Sequence, residues 1–201
     1  MNDCRKKELN DLIIQKYSNI TGLMVSKNEQ IVFESYYRGF GMKDTFHVAS
    51  VTKSILSGLI GIAIDRGKIK NIDQKVLDFF PDYRIKRRET TIQNVTLRHL
   101  LTMTAPYKFK SEPYTKVYSS DDWTLAALDL LGGKNEIGEF KYTTVGIQIL
   151  SGVLENATGQ SVSDFASDNL FVPLEIKPLK SVKILDRQDY FNFIKNGNVS
   201  G

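Results

Sequence analysis

The sequence predicts an α/β fold of the α+β kind, in which an antiparallel sheet is flanked by helices and continues into a mainly helical region. Three observations lead there: two β-rich runs close to the N-terminus, a long apolar helix from Phe46 to Gly67, and a series of capped helical patterns that occupies most of the remaining chain. With 201 residues the chain is long enough for one domain with a sizeable core. Its 41% hydrophobic and 25% charged content is that of an ordinary soluble globular protein.

Lys6 to Tyr17 carries Leu9, Leu12, Ile13 and Lys16 at helical spacing, the pattern of a short amphipathic helix that packs against a sheet. Thr21 to Ser26 and Ile31 to Tyr37 are β-rich and are separated by Lys27-Asn28-Glu29-Gln30, which predicts a hairpin with a four-residue loop. Two strands alone are marginally stable, so further strands are expected. The next helix is apolar around most of its circumference from Ile55 to Ile64 and is closed by Arg66 and Gly67, which predicts a place in the middle of the domain. Asp73 is expected to cap a short turn stopped by Pro81, and Thr96 to cap Leu97 to Leu101. Ala105 to Ser119 holds Tyr107, Phe109, Tyr114 and Tyr118 with two prolines, too irregular for an element and readable either as a pocket wall or as a cover over the core. Ser120 or Asp121 should cap Asp122 to Leu131, with Trp123 packed in the core and Gly132-Gly133 ending the helix. Val145 to Ala157 reads as an apolar helix closed by Thr158-Gly159. Ser161 and Asp164 resemble a capping box that opens a helix with Val162, Phe165, Ala166 and Leu170 on one face, ended by Pro173. Beyond Glu175 the signal weakens to a strand at 182–185 and a helix at 187–195.

One spacing carries chemistry. Ser50 and Lys53 are three apart at the start of the long helix, which puts hydroxyl and amine on one face within mutual reach. A serine hydroxyl becomes a nucleophile when a base takes its proton, and a lysine is such a base once desolvation or a neighbouring cation has driven off its own. A buried helix start would supply the desolvation, and its free N–H groups would face the charge that develops in acyl transfer. Along the same face Ser54, Ser57 and Gly61, with Gly58 alongside, are small, so another backbone segment is expected to approach there. The plain alternative makes Ser50 an N-cap and Lys53 a solvated first-turn residue. His47 is a base only on paper, since it falls in the extended approach to the helix, and His99 beside two leucines reads as a structural, hydrogen-bonded histidine.

Composition narrows the function classes. Twenty-seven basic against 23 acidic residues give a net charge of +4, too mild to demand an acidic partner, and the run Arg84-Ile85-Lys86-Arg87-Arg88 reads as a solvated loop rather than a nucleic-acid contact. Cys4 is the only cysteine, which rules out an internal disulfide and a cysteine metal cluster; with His and Cys so sparse, zinc is set aside and no metal or other cofactor is expected. Charges stand where a signal peptide needs an apolar run, and Ile55 to Ile64 is shorter than the roughly 20 residues of a bilayer span, so a cytoplasmic protein without membrane contact is expected. Oligomeric state is not legible.

The order of parts, a hairpin, a Ser-x-x-Lys helix, the phrase VTLRHLLTMT, then Tyr142 ahead of a helix followed by LSGVLENATGQSVSDFASDNLFVPL, resembles the serine β-lactamase and penicillin-binding protein superfamily, and within it the class C-like branch of esterases and 6-aminohexanoate-dimer hydrolases. The likeness runs from about Gly22 to Ile176. It implies a β-lactamase/DD-peptidase-like fold with Ser50 as the acylated nucleophile, Lys53 as its proton acceptor, and Tyr142 sharing the base role and protonating the leaving group. The substrate implied is a small ester or amide. Where the family's Tyr-x-Asn element has its asparagine, Thr144 stands; it offers one hydrogen bond without the amide's second group, either as a substrate-binding residue or as a plain N-cap, and it fits esterase or amidase members better than β-lactam hydrolysis. The family's third motif, a Lys-Thr-Gly or His-x-Gly strand that supplies an oxyanion donor and completes a five-stranded layer, does not occur among these residues. Loss of one such donor costs about a hundredfold or more in rate. The expectation is therefore one incomplete domain over 1–201: helix and hairpin over 1–45, the Ser-x-x-Lys helix and helical region over 46–176, and an irregular truncated end over 177–201, of low activity by itself. The alternative is a penicillin-recognising sensor or a pseudoenzyme with the same fold.

Overall fold

The computed structural model describes residues 2–44, 48–86, 89–134 and 136–176 and divides into two compact units, 1–49 and 50–201. The strand expected at 182–185, the helix expected at 187–195 and His47 lie outside the described residues.

The first unit opens with helix α1, Asp3–Lys16, which Asn2 caps by accepting from the Arg5 N–H. Strands β1, Gly22–Lys27, and β2, Gln30–Tyr36, pair antiparallel. Asn10 of α1 accepts a hydrogen bond from the Ser35 hydroxyl of β2 at 3.0 Å. The hairpin corrects the expected four-residue loop: Lys27 pairs with Gln30, leaving Asn28 and Glu29 alone at the turn with φ of 50° and 64°. Asparagine tolerates the left-handed region, and a two-residue turn of this sign matches the twist of the strands it joins. Among the described residues the sheet has these two strands.

The second unit is helical. The apolar helix is α2, Val51–Asp65, and Gly67 just past it has φ of 69°. Two 3-10 turns come next, at Val76–Phe79 and Thr91–Asn94, then α3, Leu97–Leu101, α4, Tyr114–Tyr118, α5, Trp123–Leu128, α6, Val145–Thr158, and α7, Val162–Ala166, which runs on into a π-helical turn at Ser167–Phe171. Gly159 ends α6 with φ of 72°, the left-handed C-terminal residue that glycine accepts without cost.

The centre of this unit is α6, where the long α2 was expected. It buries Val145, Ile149, Leu150, Val153 and Leu154 and packs against α2, α3 and α5. α2 buries Leu56, Leu59, Ile60 and Ala63 along one side only. The small-residue side that was expected to receive another segment is open: a Cβ added at Gly58 or Gly61 would meet nothing within 4 Å.

Three local expectations are corrected. Asp73 caps nothing; its carboxylate is held by the Arg98 guanidinium at 2.7 and 2.9 Å. Asp122, rather than Ser120 or Asp121, caps α5, accepting from the Leu125 N–H at 2.8 Å, while the Ser120 hydroxyl turns to the Val117 carbonyl. Tyr114–Tyr118 is a helical turn inside the stretch expected to be irregular, with the Tyr114 and Tyr118 rings stacked at 6.4 Å and Trp123 edge-on to Tyr118 at 4.9 Å. His99 takes the structural place expected of it: its Nδ1 accepts from the Thr96 N–H at 3.0 Å and closes the first turn of α3.

Candidate active site

Ser50 stands at the N-cap position of α2, yet its side chain makes no cap hydrogen bond. Its Oγ is instead 2.9 Å from Lys53 Nζ. The plain N-cap reading of Ser50 therefore gives way to a hydroxyl–amine pair across one helical turn. Ala49 immediately before it has φ of 44°, a conformation that an L-residue with a Cβ adopts at a cost and that tends to collect at functional positions.

Tyr142 arrives from the other end of the unit, two residues before the cap of α6. Its ring lies with the centroid 5.4 Å from Lys53 Nζ, and its phenol interacts with both Ser50 and Lys53. These contacts hold the phenol below its ordinary pKa. The Ser50 contact is the largest cause, burial opposes it, the Lys53 contact and charge add to it, and the Glu112 carboxylate pushes the other way. Ser50, Lys53 and Tyr142 are thus brought together as three polar atoms on one spot.

That spot is open, against the expectation of a sequestered helix start. Ser50 is exposed and Tyr142 is 55% exposed, with Tyr142 the group facing the first turn of α2. The reason is visible in α2 itself: its buried residues begin only at Leu56, beyond the first turn.

Thr144 occupies the N-cap position of α6, but its side chain does not cap. The capping is done by Glu112, whose Oε1 accepts from the Thr144 N–H at 2.8 Å and from the Val145 N–H at 2.7 Å, with Thr143 Oγ1 accepting from the Val145 N–H at 3.1 Å. The Thr144 side chain lies beside the Tyr114 phenol and acts to lower its pKa, against the larger effects of burial and Glu112. Glu112 is a residue that sequence reasoning missed. Its partners lie 32 and 33 positions away on the backbone, so no local pattern marks it.

The lead-in to Tyr142 is stitched down along its length. Gly133 N–H donates to Glu89, Gly138 N–H to the Thr104 carbonyl, and Lys141 N–H to the Met103 carbonyl. Beside this lead-in, Tyr107, Phe109, Lys110, Glu136, Phe140 and Lys141 help line an open pocket of about 750 Å³ that includes none of Ser50, Lys53 or Tyr142. Tyr107 and Phe109 so serve both readings of the aromatic stretch, since Tyr107 is also part of the core. Among the described residues no group of three or more His, Cys, Asp and Glu side chains is placed to hold a metal ion.

A helical unit with a Ser-x-x-Lys pair near a tyrosine, in a chain that also carries an antiparallel hairpin, is the layout of a β-lactamase-like α+β fold. The Beta-lactamase family profile matches residues 11–179, most of the chain, and the chain belongs to that family. It is 24% identical over 192 residues to the 6-aminohexanoate-dimer hydrolase of Paenarthrobacter ureafaciens, covering 88% of this chain and 47% of that one. An uncharacterized protein of Alkalihalophilus pseudofirmus is 26% identical over 164 residues, 77% of this chain and 42% of the other. The chain thus spans under half the length of these curated relatives. Among solved structures, FmtA from Staphylococcus aureus matches with a TM-score of 0.69 at 17% identity, over 86% of this chain and 48% of that one. A penicillin-binding protein homolog from Caulobacter crescentus matches at 0.66 and 18%, over 87% and 49%. These likenesses establish the β-lactamase/penicillin-binding protein fold, and this chain covers about half of each of those two solved chains. No helix of the described residues is long and apolar enough to cross a membrane.

Proposed function

We propose that this chain carries the acylating centre of a serine hydrolase that acts on a small ester or amide, without a metal or nucleotide. The observation that carries the reading is the 2.9 Å approach of Lys53 Nζ to Ser50 Oγ, with the Tyr142 ring centroid 5.4 Å from the same Nζ. Ser50 Oγ attacks the substrate carbonyl carbon while its proton passes to the Lys53–Tyr142 pair. Tyr142 then delivers a proton to the departing alcohol or amine, and water later cleaves the Ser50 ester by the reverse proton path. The N–H groups at the start of α2 face the oxyanion that forms. Thr144, beside Tyr142, is the substrate-binding residue of this reading, through whatever hydrogen bond its hydroxyl offers.

The residues 1–201 make up one β-lactamase-like domain in this proposal, short of the third-motif strand. With that oxyanion donor not among them, low turnover is expected of the chain alone. The relatives' names favour an amide substrate of the 6-aminohexanoate-dimer kind as one member of the class. The openness of Ser50 and Tyr142 supports a second reading, either a sensor that holds an acyl group without releasing it or a pseudoenzyme that keeps the fold for binding alone. A fluorophosphonate or penicillin probe separates them. Stoichiometric labelling at Ser50 that Ser50→Ala abolishes, followed by return of free enzyme, supports the hydrolase. Labelling without return supports the sensor, and no labelling of a chain that melts cooperatively supports the pseudoenzyme.

A further inference from the structure

The geometry points to Glu112 as the positioning residue of this centre: from the loop before α4, it grips the first turn of α6 and so fixes the Tyr142 phenol over Ser50 and Lys53. The inference rests on the hydrolase reading for its catalytic meaning and extends it to a residue outside the Ser-Lys-Tyr set.

The grip is specific. Two successive N–H groups, those of Thr144 and Val145, converge at 2.8 and 2.7 Å on a single oxygen, Glu112 Oε1. They are N–H groups that an α-helix start leaves without an intrahelical partner, and an anion there also meets the positive end of the α6 dipole. Two residues upstream of the gripped bonds sits Tyr142. The segment between has little freedom, since Thr143 is buried and its Oγ1 accepts from the Val145 N–H at 3.1 Å. Moving Glu112 therefore moves the phenol. Tyr114, the first residue of α4, lies beside this grip, where the Glu112 carboxylate helps to raise the pKa of its phenol after burial, the larger cause.

Glu112 also acts through its charge. Among the described residues the titratable groups that face the Tyr142 phenol are Lys53 from α2, Glu112 from the loop before α4, and Tyr114 at the start of α4. Lys53 favours the phenolate and Glu112 opposes it. The carboxylate thereby keeps a proton on Tyr142 that Lys53 alone would help to drive off, a balance suited to a group that must both accept and return one.

The two roles separate by substitution. Because both N–H bonds end on one oxygen, the amide oxygen of Glu112→Gln can accept both, so this variant keeps the grip and removes the charge. Glu112→Ala removes both. The experiment follows the Tyr142 phenol by NMR of the chain carrying ring-labelled tyrosine, assigned with Tyr142→Phe, and in parallel follows the pH dependence of Ser50 acylation by a fluorophosphonate. In Glu112→Gln the phenol midpoint should fall by about half a pH unit, because a negative neighbour is gone, and the acid limb of acylation should fall with it while the plateau rate stays. In Glu112→Ala the plateau should drop about tenfold or more as the phenol loses its place. A thermal melt of each variant reports the fold; if Glu112→Ala does not fold, the Glu112→Gln titration and limb decide. An unchanged midpoint in Glu112→Gln, or wild-type limb and plateau in both variants, overturns the inference. Failure of the wild-type chain to acylate at any pH overturns the hydrolase reading instead, and the phenol titration still judges whether Glu112 faces Tyr142.

Discussion

The helices α2 and α6 are of nearly equal length, Val51–Asp65 and Val145–Thr158, are both strongly apolar, and lie against each other in the second unit, yet they do opposite work. α6 is walled in, burying Val145, Gly146, Ile149, Leu150, Gly152, Val153 and Leu154. α2 is buried along one stripe and bare along another, where Ser54, Ser57, Gly58 and Gly61 lie exposed. The two helices divide the work: α6 holds the unit together, and α2 presents Ser50 and Lys53 at a start that the core does not reach. Tyr142 joins the two, since it stands two residues before the cap of α6 and its ring lies 5.4 Å from Lys53 Nζ of α2.

Substitutions that invert burial should break this comparison most. Leu150→Ala, at a fully buried site in α6, should destabilise the chain by about 3 kcal/mol in a denaturant melt, through lost transfer energy and the cavity left behind. A same-residue pair sharpens the contrast. A Cβ at Gly152 would run into Thr124 Cγ2 and lie 3.0 Å from its Oγ1 and 3.3 Å from the Phe80 ring, so Gly152→Ala should cost about 1–3 kcal/mol. Gly61→Ala puts the same methyl into open space mid-helix and should stabilise by about 0.5–1 kcal/mol. If the two glycine variants shift the melt in the same direction, the two helices are not housed as described.

The smallest effect concerns α3, which packs on α6. Burial, then the Arg98 charge, lowers the His99 pKa, with Asp73 opposing. A depressed value means the folded state prefers the neutral ring, so its contribution is present above the unfolded value of about 6.5 and is lost as pH falls through the folded one. Melting temperature should therefore decline slightly between neutral pH and pH values near five, and His99→Gln should flatten that decline.

What could be read from the sequence was what is local. Ser50 and Lys53 declared themselves because three residues on a helix fix their separation before anything else folds. The helices ending at Gly67 and Gly159, and the turn closed by Thr96 and His99, were legible for the same reason. Tyr142 was reachable only through family resemblance, because nothing in its neighbourhood says that it meets a serine 92 positions earlier, from 50 to 142. Glu112 escaped altogether, as did the diversion of Asp73 to Arg98: a carboxylate that finds its partner across tens of residues looks like any solvated acid in the chain. The exposure of the helix start was misjudged because an apolar stretch reports that a helix has a core side, not where along its length the core stops.

The peptide that delivers Tyr142 is fastened at Gly133 by Glu89, partway by Thr104 and Met103, and at its far end by Glu112. Its contour length is thus a calibrated quantity, like a belt buckled at both hips. One residue added between the fastenings can bulge outward as slack and leave the ring where it was; one taken away has to be made up from somewhere, and the nearest thing free to give is the hydroxyl's distance from its serine. Natural or laboratory variation in this strip should accordingly tolerate insertions far better than deletions.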